Sequence, residues 1–358
     1  MSVVQAIGAA MLFDFDYSCV WDALKHADRP IILYGMGNGA DKVLDEFQRR
    51  GIKAAGVMAS DDFVRYQSYR GFTVKKQSDF EKELGDFTLA LCFASDLPDV
   101  TAHIRKVASR HELLVPNVPV FGSEILDDDY IAAHQSDIEA AFDLLADEQS
   151  KKVFKGALDF FYTGRLPYLD AIDSDKDEVF RDILCLHNES YLDLGAYRGD
   201  TVDEFLHYAD GYTSITAVEP NPKNYQKLCE HIADMPNAAA LHAGIADRDG
   251  VMYVTKSSGR MAALNTESGV EVPITTVDHL DCRPTYIKVD IEGMEAAMLD
   301  SAAHTLKMLK PKLNLAAYHR TGDFFELILR LHAIQPDYQI YLRKHPYIPC
   351  WDLNIYAV

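Results

Sequence analysis

The chain has 358 residues, 48% apolar and 25% charged, which suits a packed globular protein of more than one domain. Its formal net charge of -20 excludes a general footprint for nucleic acid, whose phosphates require clustered Lys and Arg. Six cysteines stand singly with no CxxC pair, which argues against a disulfide framework or a zinc knuckle and fits reduced thiols in a cytoplasm; no apolar run is long enough to span a bilayer.

Residues 1 to about 28 read as helical. The opening MSVVQAIGAAMLFDFD has an apolar patch but no basic stretch before it, so a packed helix is expected rather than a signal peptide. RPIILYGMGNGADKVLDEFQRRG then gives a strand, a glycine turn and an amphipathic helix. IKAAGVMAS, FTLALCFAS and ELLVPNVPVFG follow as strands. Strands alternating with helices predict a parallel sheet of βαβ units, a Rossmann-like domain over 1–125. From 126 to 170 apolar residues recur at three and four, which predicts a helical linker.

A second α/β domain is expected over 171–358. SYLDLGAYRGDT is a strand, a glycine turn and a helix start. SITAVEP, ALHAGIA, DGVMYVTKSS, PTYIKVD and KLNLAAYH are further strands, with helices between most of them. YQIYLRKH and WDLNIYAV close the chain as an antiparallel hairpin at the sheet edge. The fold class is therefore α/β, with two doubly wound parallel sheets.

The two glycine turns differ in charge. LYGMGNGA places Gly35, Gly37 and Ala40 in a G-x-G-x-x-A spacing between strand and helix, with Asp61 or Asp62 near the end of the next strand for ribose hydroxyls. That spacing suits a dinucleotide or nucleotide sugar, and equally a turn that only packs helix on strand. The second turn, D-x-G-x-x-x-G-D-T, has acids at both ends, Asp193 and Asp200. These would repel a phosphate and favour a ligand offering amino, sulfonium and hydroxyl groups, as S-adenosylmethionine does. Glu219, at the end of AVEP, stands where an acid can accept from ribose hydroxyls. Asp200 and Thr201 could also simply cap the following helix.

GAYRGDT, AVEPNPKNYQKL, ITTVDHL, YIKVDIEGMEAAMLDSA and YHRTGDFFELI…PDYQIYLRKH resemble the FkbM-type methyltransferases, in the family's order, from about 170 to the end. The resemblance implies a class I, S-adenosylmethionine-dependent fold and O-methylation of a sugar, glycan or natural-product hydroxyl. It implies cofactor contacts from Asp193, Gly195, Ala196, Gly199, Asp200, Thr201 and Glu219. Asn221 would lie over the adenine edge, Ile245 would pack on the adenine, and Asp247 would accept from its amino group or stand as a plain turn residue. The first domain looks like the small Rossmann-like domains of polysaccharide-biosynthesis proteins, which does not fix a ligand.

Methyl transfer to a hydroxyl needs an aligned acceptor and a group to take its proton. In IKVDIEG, alternation sends Lys288, Asp290 and Glu292 to one face at the carboxyl end of a strand, where ligands of open α/β sheets bind. His319 ends the next strand and titrates near neutrality. Asp290, Glu292 and His319 are thus the catalytic candidates. Together they could instead hold a divalent cation in an oxygen-rich set closer to magnesium or calcium than to zinc. Arg320 and the basic run at Arg343 could orient an acidic acceptor, although a solvated face also fits. The expected partner is a small-molecule or glycan acceptor, with homo-oligomerisation allowed. Two other readings stay open: a nicotinamide-dependent oxidoreductase or epimerase centred on Gly35 and Gly37, and a non-enzymatic binding module.

Overall fold

The computed structural model describes residues 12–60, 64–254, 264–265 and 269–358. The opening helix expected over 1–28 therefore falls partly outside the described residues; within them a helix runs Val20–Lys25. The chain divides into two compact units that interleave in sequence. One comprises 1–139, 152–173 and 344–352; the other comprises 140–151, 174–343 and 353–358.

In the first unit, strands β1 (Ile31–Tyr34), β2 (Ala54–Met58), β3 (Ser68–Tyr69), β4 (Phe72–Lys75), β5 (Thr88–Leu91) and β6 (Glu112–Leu114) form one sheet in the order β3-β4-β2-β1-β5-β6. Every pairing is parallel except β3 with β4. The continuous apolar runs IILY and TLAL are buried along their whole length, as expected for strands covered on both faces. The β3–β4 hairpin was not expected from the sequence; Arg70 and Gly71 make its turn, both with positive φ. Helices run Asp128–Asp143, Glu148–Thr163 and Leu166–Asp170 over the span expected as a linker, but 126–139 and 152–170 belong to the first unit and 140–151 to the second.

The second unit contains β7 (His187–Leu194), β8 (Asp210–Val218), β9 (Ala238–Leu241), β10 (Gly244–Ile245), β11 (Gly250–Val254), β12 (Leu264–Asn265), β13 (Val270–Thr275), β14 (Tyr286–Val289), β15 (Lys312–Ala316), β16 (Ile340–Lys344) and β17 (Leu353–Ala357). Seven of these make one sheet in the order β16-β17-β15-β14-β7-β8-β9. β9, β8, β7, β14 and β15 are parallel neighbours, and β17 enters antiparallel beside β15. The strand expected at DGVMYVTKSS exists as β11, but it belongs to a separate four-stranded sheet, β10-β13-β11-β12. On the main sheet Tyr191 and Tyr286 stack at 5.1 Å, and Phe205 from the following helix stacks on Tyr191 at 4.3 Å. These rings fix the helix after β7 against the sheet, and with it the turn between them.

The switch in strand order falls between β7 and β14. β7 continues through β8 on one side, whereas β14 continues through β15 on the other. The carboxyl ends of these two strands flank the crevice in which ligands of such sheets bind.

Candidate active site

Where β7 ends, the chain turns at Gly195 and enters the helix Asp200–Tyr208 after Gly199. Gly195 has φ 82°, and a Cβ built there would lie 1.9 Å from the carbonyl oxygen of Asp290. Only glycine lets the turn and the end of β14 come this close. The N–H groups of Gly195 and Ala196 both donate to the Val218 carbonyl at 3.0 Å, which ties the turn to β8 as well. The turn is thus clamped between two strands.

Asp193 has a different place from the one expected. It is fully buried, accepts from the Thr201 hydroxyl and lies 3.5 Å from the Lys288 ammonium, which itself donates to the Gly195 carbonyl at 2.9 Å. A carboxylate with no exposed surface cannot meet a ligand from solvent, so its role is to brace the turn from behind. Burial pushes the Asp193 carboxyl up, against the pull of Lys288 and Thr201. Thr201 is committed to the same brace, whereas Asp200 stands exposed in the first turn of its helix, where the macrodipole favours an acid.

Glu219 follows β8. Its two oxygens accept one backbone N–H each, from Tyr197 at 2.9 Å and Asn221 at 2.8 Å. The Asn224 side chain hydrogen-bonds the same carboxylate. Burial pushes its carboxyl up to about 7 despite those hydrogen bonds. The Asn221 side chain caps the helix Pro222–Ile232 by accepting from Lys223 and Asn224. Ile245 is buried in β10, and Asp247 is exposed with its carboxylate 2.9 Å from Arg248.

Beyond β14 and β15 the three catalytic candidates come together. His319 Nε2 lies 3.4 Å from Asp290 Oδ1 and 3.7 Å from Glu292 Oε2. Tyr318 donates its hydroxyl to Asp290 at 3.3 Å. A fourth residue, Glu295, was missed in the sequence. It is 1% exposed and its Oε1 lies 3.0 Å from His319 Nδ1. The signal for it was available: it sits three residues past Glu292 at a helix start, where an acid reaches back to free N–H groups.

The charges in this cluster settle the proton positions. Burial pushes His319 down, but Glu295, Asp290 and Glu292 outweigh it and hold the imidazole at about 10. These carboxylates favour the protonated ring at neutral pH. Glu292 is pushed up to about 7, first by burial and then by Asp290 and Glu295, with His319 opposing. That is the range in which a carboxylate both accepts a proton and exists ionised at neutral pH. Asp323, which caps the next turn through the Arg320 N–H at 2.7 Å, is also pushed up to about 7 by burial and Glu295. Among the described residues, Asp290, Glu295 and His319 offer ligand atoms within 4.8 Å of one another, a set able to hold a metal ion.

Residues 193–343 match the family model of the methyltransferase FkbM domain. This stretch of the chain is similar to the FkbM methyltransferase domain. It spans the Gly195 turn, Glu219 and the Asp290–His319 cluster. The crystal structure of methyltransferase FkbM from Methylobacillus flagellatus KT is similar to this chain at TM-score 0.72 and 19% identity, covering 99% of this chain and 98% of that one. The chain thus shares that methyltransferase's fold. Weaker similarity reaches Aeropyrum pernix fibrillarin in complex with natively bound S-adenosyl-L-methionine, at TM-score 0.32 and 16% identity over 48% of this chain and 67% of that one. Precorrin-6y C5,15-methyltransferase from Geobacter metallireducens GS-15 gives TM-score 0.33 and 14% identity over 53% and 94%. No curated protein matches the sequence.

Within the matched stretch, the basic run at Arg343 is neither a solvated face nor a phosphate site. Arg343 is 1% exposed and donates to both Asp147 oxygens, at 3.2 and 2.7 Å, and to Ser150 at 2.8 Å. Arg320 is the exposed arginine; it donates to the Gly293 carbonyl at 3.0 Å, beside Glu292.

The other glycine turn belongs to the first unit. Gly35 and Gly37 have positive φ and precede the helix Asn38–Arg50, in whose first turn Ala40 is buried. Asp61 and Asp62 lie outside the described residues. Asp41 stands in the first turn of that helix, 2.8 Å from the Tyr69 hydroxyl, and puts a negative charge where a pyrophosphate would sit. The neighbouring Lys42 donates instead to the carbonyls of Pro119 and Val120, both at 2.6 Å. A cleft of about 600 Å³ in the same unit is lined by Tyr17, Arg105, Arg165 and Tyr168. Its guanidinium groups are paired, Arg105 with Asp170 at 2.7 Å and Arg165 with Glu112 at 3.3 Å. No helix among the described residues is long and apolar enough to cross a membrane.

Proposed function

We propose that this protein transfers the methyl group of S-adenosylmethionine to a hydroxyl of a sugar, glycan or related small molecule. The observation that carries this reading is the Gly195 turn, clamped against Asp290 and Val218, with the Glu219 carboxylate at the end of β8 and the Asp290–Glu292–His319 cluster beyond β14 and β15. The turn offers close backbone approach without phosphate-binding cations. Glu219 would accept from the two ribose hydroxyls. The sulfonium methyl would then lie near the carboxyl end of β14, where Glu292 would take the acceptor's proton. The similarity to the FkbM domain supports methyl transfer, and the arrangement of titratable groups supports oxygen as the acceptor. Transfer of labelled methyl into nucleotide sugars and glycans tests this; labelled product from none of them would remove the carbohydrate reading.

Glu219 gives a pH signature. Its carboxylate accepts from hydroxyls more strongly, and with both oxygens, when ionised, and in the free protein it ionises at about 7. Cofactor affinity should therefore be lost as pH falls, weakening about tenfold from pH 8 to pH 6, and this slope should vanish in Glu219→Gln. Equal dissociation constants at the two pH values in the wild type would contradict the assignment.

A divalent cation is a second reading, favoured by one observation: Glu295 Oε2 is buried with no hydrogen-bond partner. Asp290, Glu295 and His319 would hold the ion, which would lower the acceptor hydroxyl's pKa. A rise in melting temperature with manganese, absent in His319→Asn, is the expected result; no rise removes the cation.

A further inference from the structure

We infer that Glu295 is a positioning residue: it joins the turn that carries Glu292 to the imidazole of His319 and so sets the geometry of the acceptor end of the site. One oxygen makes the junction. Glu295 Oε1 accepts from the Ile291 N–H at 3.0 Å and the Gly293 N–H at 3.3 Å, and lies 3.0 Å from His319 Nδ1. The two N–H donors belong to the turn after β14, and the ring nitrogen, at ion-pair distance, belongs to the segment after β15.

Glu292 lies between the two anchored N–H groups and has φ 57°. A non-glycine residue is strained in that conformation and persists there when its neighbours over-determine it. The shared oxygen supplies that constraint on both sides. Glu295 is 1% exposed, so water does not compete for it. A ring anchored through one nitrogen presents the other in a fixed direction. Here the other nitrogen faces Asp290 and Glu292. A carboxylate that only satisfied N–H groups at a helix start would explain the two backbone contacts but not the third.

The consequence for turnover rests on the methyltransferase reading, whereas the contact itself is measured without turnover. Proton–nitrogen spectra of protein labelled with ¹⁵N-histidine, with metal removed by chelator, should show one strongly downfield ring N–H. It should be absent in His319→Asn and lost in Glu295→Gln while cofactor affinity and circular dichroism are unchanged. A downfield signal that survives in Glu295→Gln, or none in the wild type, overturns the inference. Glu295→Asp serves where the glutamine variant does not fold: its shorter arm should move the signal upfield, and an unmoved signal again overturns the inference.

With labelled methyl transfer as the readout, Glu295→Gln should lower kcat about tenfold at constant KM for the cofactor. Its loss should not add to that of His319→Asn; additive losses would show that Glu295 does not act through the ring. The ring signal present in a wild type that transfers no methyl would sink the functional reading and leave the positioning intact.

Discussion

Gly195→Ala is expected to reduce S-adenosylmethionine affinity by about 10²-fold or more, because a strained turn can no longer approach its ligand. Two costs combine. A side chain at φ 82° is strained wherever it sits, and the new Cβ would stand 1.9 Å from the Asp290 carbonyl oxygen, which is backbone and cannot swing aside. Either the turn lifts or the end of β14 moves, and each displaces a part of the site. Overpacking of this kind costs about 1–3 kcal/mol in stability, so the melting temperature should also fall. Calorimetry on the folded variant separates the two effects. An affinity equal to that of the wild type would show that the cofactor is not held at this turn.

The second large effect is at Glu292. Glu292→Gln should lower kcat by about 10²-fold or more while leaving cofactor affinity unchanged, as loss of a general base does. The pH profile gives the sharper check. Glu292 accepts a proton only when ionised, and burial holds it protonated up to about 7. Wild-type kcat should therefore rise with pH through about 7 and level off above it, and the glutamine variant should lack this limb. His319, held at about 10, cannot produce it. A limb near 7 that persists in Glu292→Gln would assign the proton to another group, with Asp290 next in reach.

Much of the architecture was legible because it rests on local pattern. Apolar runs such as IILY and YIKV become buried parallel strands, and the G-x-x-x-G spacing becomes the clamped turn between β7 and its helix. Asp290, Glu292 and His319 were found because strand alternation and strand ends can be read without partners, and the structure brings all three together. What failed depended on distant partners. Arg343 read as a surface cation because nothing local reveals Asp147 and Ser150, nearly two hundred residues earlier in the chain. Asp193 read as a ligand contact because its burial beside Lys288 follows from the β7–β14 register, in which the two face each other. β11 read as one more strand of the main sheet because its pairing with β13 is set by topology rather than by its own residues. Glu295 was missed because its decisive contact is with His319, in the segment after β15.

Titration calorimetry of S-adenosylmethionine into the full chain tests the central claim most directly. The account predicts one cofactor per chain, bound in the wild type and lost in Gly195→Ala. No heat of binding in the wild type, or equal binding in both proteins, would contradict it.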